Sequence, residues 1–140
     1  MKHYYKIVFP SIFLALLTFL SACKKDDPNP TTLRIKELTS VWNVSSVIND
    51  DVDVTSQFSG FKLTINDRTY STINGGNPWP ASGTYEINST DLNTILRSDG
   101  TAVTIDEITA TTLILSFNFS SLVGGRLSGV TGNFTFSLNK

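Results

Sequence analysis

The side chains that most often carry out catalysis are nearly absent from this chain. Its single histidine is His3 and its single cysteine is Cys23. Residues 24–140 therefore offer no imidazole and no thiol, which excludes Ser-His-Asp and Cys-His catalysis and zinc sites built from these ligands. A glycine-rich phosphate-binding loop is missing as well. Carboxylates and hydroxyls are the chemistry that remains, and we expect neither an enzyme nor a cofactor.

Two groups of carboxylates are candidate sites. Residues 49–53 (Asn-Asp-Asp-Val-Asp) hold four oxygen-bearing side chains, and Ca²⁺ takes about six to eight oxygen ligands. The EF-hand spacing is missing, so Asp50, Asp51 and Asp53 are weak metal candidates and a solvated turn is the favoured interpretation. Glu86 and Glu107 are the types that hydrolyse glycosides in pairs, but strand alternation or a strand end predicts solvent around each of them.

Three further residues are candidate ligand contacts. Trp79 lies between Pro78 and Pro80 in a loop, where it is either a rigid platform for a sugar ring or hydrophobic ligand, or a cap folded over the end of a barrel. Trp42 falls on an inward strand face, as the floor of a ligand cup or as ordinary core. Arg126, in a glycine-rich segment, offers a planar fork to an anionic group or pairs with a surface carboxylate.

The amino terminus carries a secretion signal. Lys2 and Lys6 begin it, an apolar run over residues 7–20 follows, and small residues precede Cys23. Its ending, Leu20-Ser21-Ala22-Cys23, resembles the lipobox of bacterial lipoproteins. The resemblance implies that residues 1–22 are removed and that Cys23 is acylated and anchors the chain to a membrane. The alternative, an uncleaved transmembrane helix, needs about 20 apolar residues, more than this run provides.

The residues after the cysteine indicate where the chain is delivered. Cys23-Lys24-Lys25-Asp26-Asp27 looks like the export signal of surface lipoproteins in the Bacteroidetes, which implies the outer face of the outer membrane. The periplasmic leaflet is the alternative. Residues 28–32 are polar and proline-rich and predict an extended spacer, so residues 23–32 form a lipidated tether.

Residues 33–140 are the right length for a single domain. Removal of residues 1–22 takes away two of the 11 basic residues and none of the 12 acidic ones, so the net charge becomes about −3. Because no basic stripe is present, nucleic acid is not an expected partner.

Apolar and polar residues alternate along most of this domain, which predicts half-buried β-strands. In the first strand, Trp42, Val44, Ser46 and Ile48 are expected to share one face. Later runs place Phe61, Leu63, Tyr85, Phe117, Phe119, Phe134 and Phe136 inward. Residues 33–39 predict a short helix with Leu33 and Leu38 on one side.

Turn residues separate about eight strands. Asp99-Gly100 predicts a two-residue hairpin and Asn66-Asp67 a second turn, while residues 124–132 form the longest irregular connection. No long helix intervenes, so the predicted fold is all-β: an antiparallel eight-stranded meander, either closed as a barrel or folded as a sandwich.

The arrangement resembles a known family. A short helix, a strand opening on Val41-Trp42-Asn43-Val44, and a meander ending in Gly132-Asn133-Phe134-Thr135-Phe136-Ser137-Leu138 look like the lipocalin-like lipoproteins of the Bacteroidetes. The segments Ser82–Tyr85, Arg97–Gly100 and Gly124–Arg126 fit the same pattern. The broader lipocalin signature has Gly two residues before the first-strand Trp, where this chain has Ser40. The resemblance implies a lipocalin-like β-barrel over residues 33–140.

Two functions follow as expectations. The first is a non-catalytic, lipid-anchored protein that binds a small hydrophobic or glycan ligand, since a closed eight-stranded barrel has room for one small ligand. If large side chains fill the barrel, binding is expected at the rim, through Trp79 and the segments 49–53 and 124–132. The second is a structural or accessory protein that binds a protein partner at the cell envelope.

Overall fold

The computed structural model describes residues 27–123, 126–127 and 131–140, and for residues 122, 123, 126 and 127 the backbone alone. The predicted signal peptide and the predicted lipidation site at Cys23 lie outside these residues. Within the described part of the chain, no helix has the length and apolar character needed to cross a membrane.

The described residues form one short helix, a 3₁₀ turn and eleven strands. The helix α1 is Pro30–Leu38 and the 3₁₀ turn is Thr55–Phe58. The strands are β1 Ser40–Asn49, β2 Val52–Asp53, β3 Lys62–Ile65, β4 Thr69–Ile73, β5 Ser82–Ile87, β6 Thr94–Arg97, β7 Ala102–Ile108, β8 Thr112–Phe119, β9 Leu122–Val123, β10 Arg126–Leu127 and β11 Gly132–Asn139.

Eight of the strands close into an antiparallel barrel. Each pairs with its neighbour in the order β1, β3, β4, β5, β6, β7, β8, β11, and β11 pairs back onto β1. The closing seam runs from Asn43 opposite Asn139 to Asn49 opposite Phe134. The predicted eight-stranded meander is confirmed, and closure decides for the barrel over the sandwich. The short β2 extends the sheet beside β1, and β9 pairs with β10 in a separate hairpin.

The meander divides the connections between two ends of the barrel. We call the end with segments 50–61, 74–81, 98–101 and 120–131 the loop end. The other, the helix end, carries α1 and the shorter connections 66–68, 88–93 and 109–111. Hydrogen bonds link neighbours at each end: Asp50 N donates to Asn133 O at the loop end (3.0 Å), and Lys140 N donates to Thr111 O at the helix end (3.1 Å).

Helix α1 closes the helix end. Pro30 opens it, and the Asn29 side chain accepts a hydrogen bond from Thr31 N (2.9 Å), which caps the first turn. Ile35 and Leu38 are buried, whereas Leu33 is 45% exposed. The predicted pairing of Leu33 with Leu38 is therefore wrong: residues five apart lie about 140° apart around a helix, and those three apart only about 60°.

A β-bulge changes which residues of β1 face inward. The register with β11 shifts between Val44 and Ser46. As a result Val47 is fully buried, and Ile48 is only half-buried. The expected inward set therefore holds for Trp42 and Val44 but not beyond them, because an extra residue reverses the faces of the strand that follows.

The β6–β7 hairpin is confirmed, with a longer loop than expected. Gly100 N donates to Arg97 O (2.9 Å) and Arg97 N donates to Thr101 O (3.0 Å), so three residues, 98–100, form the loop. Gly100 has φ +86°, a left-handed conformation that glycine adopts without steric cost. A type I turn followed by such a glycine is the usual three-residue hairpin.

The buried side chains of the described residues form one continuous core. Its buried apolar side chains run from Ile35 in α1 to Leu138 in β11. The expected inward residues Phe61, Leu63, Tyr85, Phe117, Phe134 and Phe136 are buried, and Phe119 packs partly buried against them. Because helix, closed sheet and core all lie within residues 27–140, this part of the chain has what it needs to fold on its own.

Candidate functional site

Trp79 lies inside the barrel at its loop end. Its side chain is 4% exposed. Its ring packs against those of Phe61, Tyr70, Phe117 and Phe136, with centroids 5.4–5.9 Å away. Trp79 is thus inserted into the core, not presented to solvent as a platform, and the segment that carries it closes the loop end of the barrel.

A buried arginine lies directly beneath this indole. Arg97, at the end of β6, is 2% exposed, and it is the only buried charged residue among those described. Its guanidinium carbon lies 4.7 Å from the Trp79 ring centroid and 5.5 Å from that of Phe117. A guanidinium over an aromatic face gains cation–π attraction, more so when both groups are removed from water.

Each of the two terminal nitrogens of this guanidinium has one hydrogen-bond acceptor. Arg97 Nη2 donates to Asp99 Oδ2, an ion pair within the β6–β7 hairpin. Arg97 Nη1 donates to the backbone carbonyl of Pro78 (3.0 Å). The arginine therefore connects the 98–101 hairpin with the segment that carries Trp79.

Segment 74–81 is hydrogen-bonded to β4, to Ser59 and to Arg97, and Thr72 N donates to Ala81 O (2.8 Å). Trp79 N donates to Gly75 O (3.3 Å), Thr72 Oγ1 donates to Pro80 O (2.8 Å), and Asn74 Nδ2 donates to Ser59 O (3.0 Å). A side chain at Gly75 would bring a Cβ within 2.6 Å of Trp79 Cβ. Glycine at this position is what allows the loop to fold back on itself.

Tyr70 completes the aromatic surroundings of Arg97. It lies on β4 opposite Gly83 of β5, and a Cβ at Gly83 would stand 2.7 Å from the Tyr70 hydroxyl oxygen. The glycine therefore makes room for the tyrosine ring to lie flat across the neighbouring strand. The Tyr70 ring centroid is 6.0 Å from the guanidinium carbon of Arg97.

A small cavity lies among these residues. Its free volume is about 20 Å³, and Tyr70, Trp79, Tyr85 and Arg97 line it together with apolar residues of β3, β6, β7 and β8. This is room for about one water molecule and far less than the about 300 Å³ or more of a ligand pocket. The barrel is filled with Trp79 in this position.

Three buried polar atoms around this cavity have no hydrogen-bond partner. They are the Tyr70 hydroxyl oxygen, Trp79 Nε1 and Arg97 Nε. A buried polar group without a partner costs about 1–3 kcal/mol, and most native proteins carry few of them. The three atoms belong to side chains that also line the cavity, so this is the place in the described barrel where unpartnered donors lie together.

The titration behaviour reflects the same surroundings. Burial raises the pKa of Tyr70, although the charge of Arg97 opposes the rise. Burial also raises the pKa of Tyr85, whose hydroxyl donates to Asn66 O (2.9 Å). Partial burial of Asp99 favours a higher pKa, but the hydrogen bonds from Arg97 and Thr101 and the charge of Arg97 outweigh it and lower the pKa of this carboxyl. At neutral pH the site therefore holds an ion pair and two neutral phenols.

Trp42 lies at the helix end, away from this cavity. It is fully buried, its Nε1 donates to Leu38 O (2.9 Å), and Lys140 Nζ lies 4.7 Å from its ring centroid. These contacts fasten α1 and the last strand to β1, which is a core role.

Two carboxylates of the acidic segment 49–53 accept hydrogen bonds from other groups of the protein. Asp50 Oδ1 accepts from Asn133 N (2.9 Å) and Nδ2 (3.0 Å), and Asp53 Oδ1 accepts from Thr55 N (2.8 Å). Asp50 and Asp51 have φ +46° and +65°, which an Asp in a tight turn tolerates. Among the described residues no group of three potential metal ligands lies close together.

The remaining candidates divide between exposed and undescribed residues. Glu86 on β5 and Glu107 on β7 are exposed on separate strands, so neither lies in a cleft. Arg126 begins β10, but its side chain lies outside the described residues, as does Cys23. The topology nevertheless brings Trp79, the segment 49–53 and Gly132, where β11 begins, to the same loop end.

Sequence reasoning missed Arg97, the centre of the site. A signal was present: Ile95 and Arg97 are two apart in a strand, so an inward Ile95 predicts an inward Arg97. The sequence instead groups Arg97 with Ser98, Asp99 and Gly100 as a hairpin segment, which hides its place at the end of the strand that carries Ile95.

Comparisons with known proteins do not identify this site. The chain matches no protein-family model, no curated protein and no solved structure at a significant level. Its function must therefore be argued from its own geometry.

Proposed function

We propose that this protein is a non-catalytic binding protein, anchored by lipid at Cys23 to the outer membrane, that takes a small hydrophobic or glycan ligand at its loop end. In this proposal residues 1–22 are the signal peptide. The Lys-Lys-Asp-Asp segment after Cys23 directs the protein to the cell surface, with the periplasmic leaflet as the alternative location. The resemblance to lipocalin-like lipoproteins supports the same class of function.

The observation that carries the proposal is the buried Arg97 with unpartnered donors around it. The ion pair with Asp99 and the contacts with Trp79 hold this charge in place, but replacing a buried ion pair by packed apolar residues is often neutral or stabilising. A charged donor held in an aromatic enclosure is, however, useful for holding a ligand in one orientation. The unpartnered atoms of Tyr70 and Trp79 add donors at the same place.

The position of the site supports ligand entry at the loop end. Trp42 and α1 close the helix end with fully buried side chains. The tether leads into α1, which joins β1 at the helix end. In the proposed anchored protein, the loop end is therefore the end of the barrel opposite the attachment of the tether.

Native mass spectrometry tests the proposal. Residues 27–140 are incubated with a lipid and glycan extract of the source cells, and a ligand is expected as a discrete mass adduct on the folded protein. Arg97→Met is expected to lose the adduct, whereas Arg68→Met, which removes an exposed arginine from the 66–68 turn at the helix end, is expected to keep it. A bare protein mass in every extract would refute ligand binding.

A protein partner is the second candidate, and the filled barrel favours it. Val52, Ile73 and Leu96 are 49–61% exposed and lie near strand ends at the loop end. Cross-linking on intact cells is the test. A partner captured by the unmodified protein, and lost when Ile73 and Leu96 are replaced by Asp, would support this function in place of ligand binding.

A further inference from the structure

We infer that Trp79 occupies the position of the ligand, and that the ligand is a small apolar carboxylic acid whose carboxylate binds Arg97 once segment 74–81 moves outward. This inference rests on the proposed function and specifies its ligand. It comes from the contacts of Arg97, from the shape of the space around Trp79 and from the atoms that lack partners.

The first argument concerns the donors of Arg97. Its Nε has no partner, and its Nη1 is bound only by the carbonyl of Pro78, which belongs to the moving segment. Outward movement of this segment leaves both donors free while Asp99 still holds Nη2. Carboxylates accept hydrogen bonds from a guanidinium more strongly than neutral acceptors do, so an anionic oxygen is the natural replacement for the lost carbonyl.

The second argument concerns the apolar part of the ligand. The indole of Trp79 is enclosed by the rings of Phe61, Tyr70, Phe117 and Phe136. A group that replaces the indole must fill the same aromatic enclosure. It must therefore be apolar and about as large as an indole. A short acyl chain or a single aromatic ring meets this description.

The third argument concerns why Trp79 can leave. The free space beside it is about 20 Å³, so a ligand cannot bind next to the indole and must displace it. In the inserted state neither the indole N–H nor the Tyr70 hydroxyl has a protein partner, and opening of the site exposes both to solvent or to a ligand oxygen. Outward movement of segment 74–81 leaves the pairing of the eight barrel strands intact. It costs the ring contacts of Trp79 and the bond of Arg97 to Pro78 O, which contacts with the ligand must replace.

The inference predicts the effect of Trp79→Ala. If the site is open in only a fraction of molecules, the apparent affinity equals the affinity of the open site multiplied by that fraction. A substitution that removes Trp79 from the site opens it in every molecule and so raises the apparent affinity. Trp79→Ala is therefore expected to bind the acid at least tenfold more tightly than the unmodified protein. A platform that stacks on the ligand would show the opposite, a weaker affinity.

The experiment uses residues 27–140 and two acids. Octanoate and 3-phenylpropionate are titrated by isothermal calorimetry, with octan-1-ol as the uncharged control for the acyl chain. Binding of at least one acid is expected, at least tenfold tighter than binding of octan-1-ol. Arg97→Met is expected to weaken it at least tenfold, while Arg68→Met leaves it unchanged.

A fluorescence measurement reports the movement of Trp79 directly. Trp42 and Trp79 are the only tryptophans, so Trp42→Phe leaves Trp79 as the single emitter. The bound acid is expected to shift its emission to longer wavelength, as water reaches the indole. If Trp42→Phe fails to fold, calorimetry on the unmodified protein still tests whether the acid binds.

Several results would overturn the inference. They are no binding of either acid, equal binding of octanoate and octan-1-ol, unchanged affinity in Arg97→Met, or weaker affinity in Trp79→Ala. A neutral adduct in the mass spectrometry experiment would overturn the carboxylate and leave the proposed function standing. If no extract produces an adduct, the proposed function itself is refuted.

Discussion

At the scale of single residues, Arg97 is the unusual feature of this protein. A guanidinium that is 2% exposed has given up its hydration and recovers only part of it through Asp99 and the carbonyl of Pro78. Such a group is expensive unless it is paired and hydrogen-bonded throughout. In the proposed function, this guanidinium is the group that would hold the ligand.

This view predicts how Arg97 substitutions affect stability. Arg97→Met keeps most of the volume but takes the partner from Asp99 and the donor from the Pro78 carbonyl, so it is expected to lose about 1–2 kcal/mol of unfolding free energy. Arg97→Ala leaves a cavity and is expected to lose about 2–4 kcal/mol of unfolding free energy. Both are measured by thermal and urea denaturation. Equal losses in the two variants would mean that the charge itself supports the fold.

Asp99 predicts a specific acid sensitivity. Its pKa is lowered in the folded protein, because the hydrogen bonds from Arg97 and Thr101 and the charge of Arg97 outweigh partial burial. A lowered folded pKa contributes stability that is complete above the unfolded value, about 3.9, and that is lost as the pH falls through the folded value. Between pH 5 and pH 2 the unmodified protein should therefore lose more stability than Asp99→Asn.

Urea unfolding at several pH values checks this expectation. Asp53 and Asp91 also have lowered pKa values, and they are present in both proteins, so their contributions cancel in the comparison. Parallel pH profiles would show that the ion pair of Asp99 with Arg97 contributes nothing to stability.

At the scale of elements, the positions of the bulges and caps determine which residues form the core. Alternation correctly predicted the strands and most of their inward faces, because the period of two follows from strand geometry. It failed at Val47, since the bulge after Val44 depends on how β1 meets both β3 and β11. No local sequence signal marks such a shift, which only the barrel closure requires.

Helix α1 provides a matched test of burial. Leu38 is fully buried and Leu33 is 45% exposed, so the same substitution has different consequences at the two positions. Leu38→Ala is expected to lower the unfolding free energy by about 3 kcal/mol, and Leu33→Ala to change it by at most about 0.5 kcal/mol. Similar losses from both, measured by urea denaturation, would contradict the observed face of the helix.

At the scale of the whole molecule, closure of the sheet makes the protein one cooperative unit. The last strand, β11, pairs with β8 along its whole length and with β1 along the seam. It also supplies Phe134, Phe136 and Leu138, all fully buried, to the core. These contacts join the two chain ends and hold the loop and helix ends in one structure.

Removal of this strand should abolish folding. A chain ending at residue 131 leaves two open strand edges and an exposed core, and it is expected to show no cooperative thermal transition. A chain ending at Asn139, which lacks only Lys140, should retain the transition. Circular dichroism on both proteins checks this. A cooperative transition in the shorter chain would show that the seam is dispensable.

The sequence by itself determined the fold class, the strand count and the absence of catalytic histidine and cysteine in residues 24–140, because these follow from local alternation, turn residues and composition. The tertiary structure alone decided that the sheet closes, that Trp79 fills the barrel and that Arg97 lies beneath it. Trp79 and Arg97 are 18 positions apart in the chain, and they meet because segment 74–81 folds into the mouth of a closed barrel. Such a contact depends on closure of the whole sheet, which local sequence patterns do not encode.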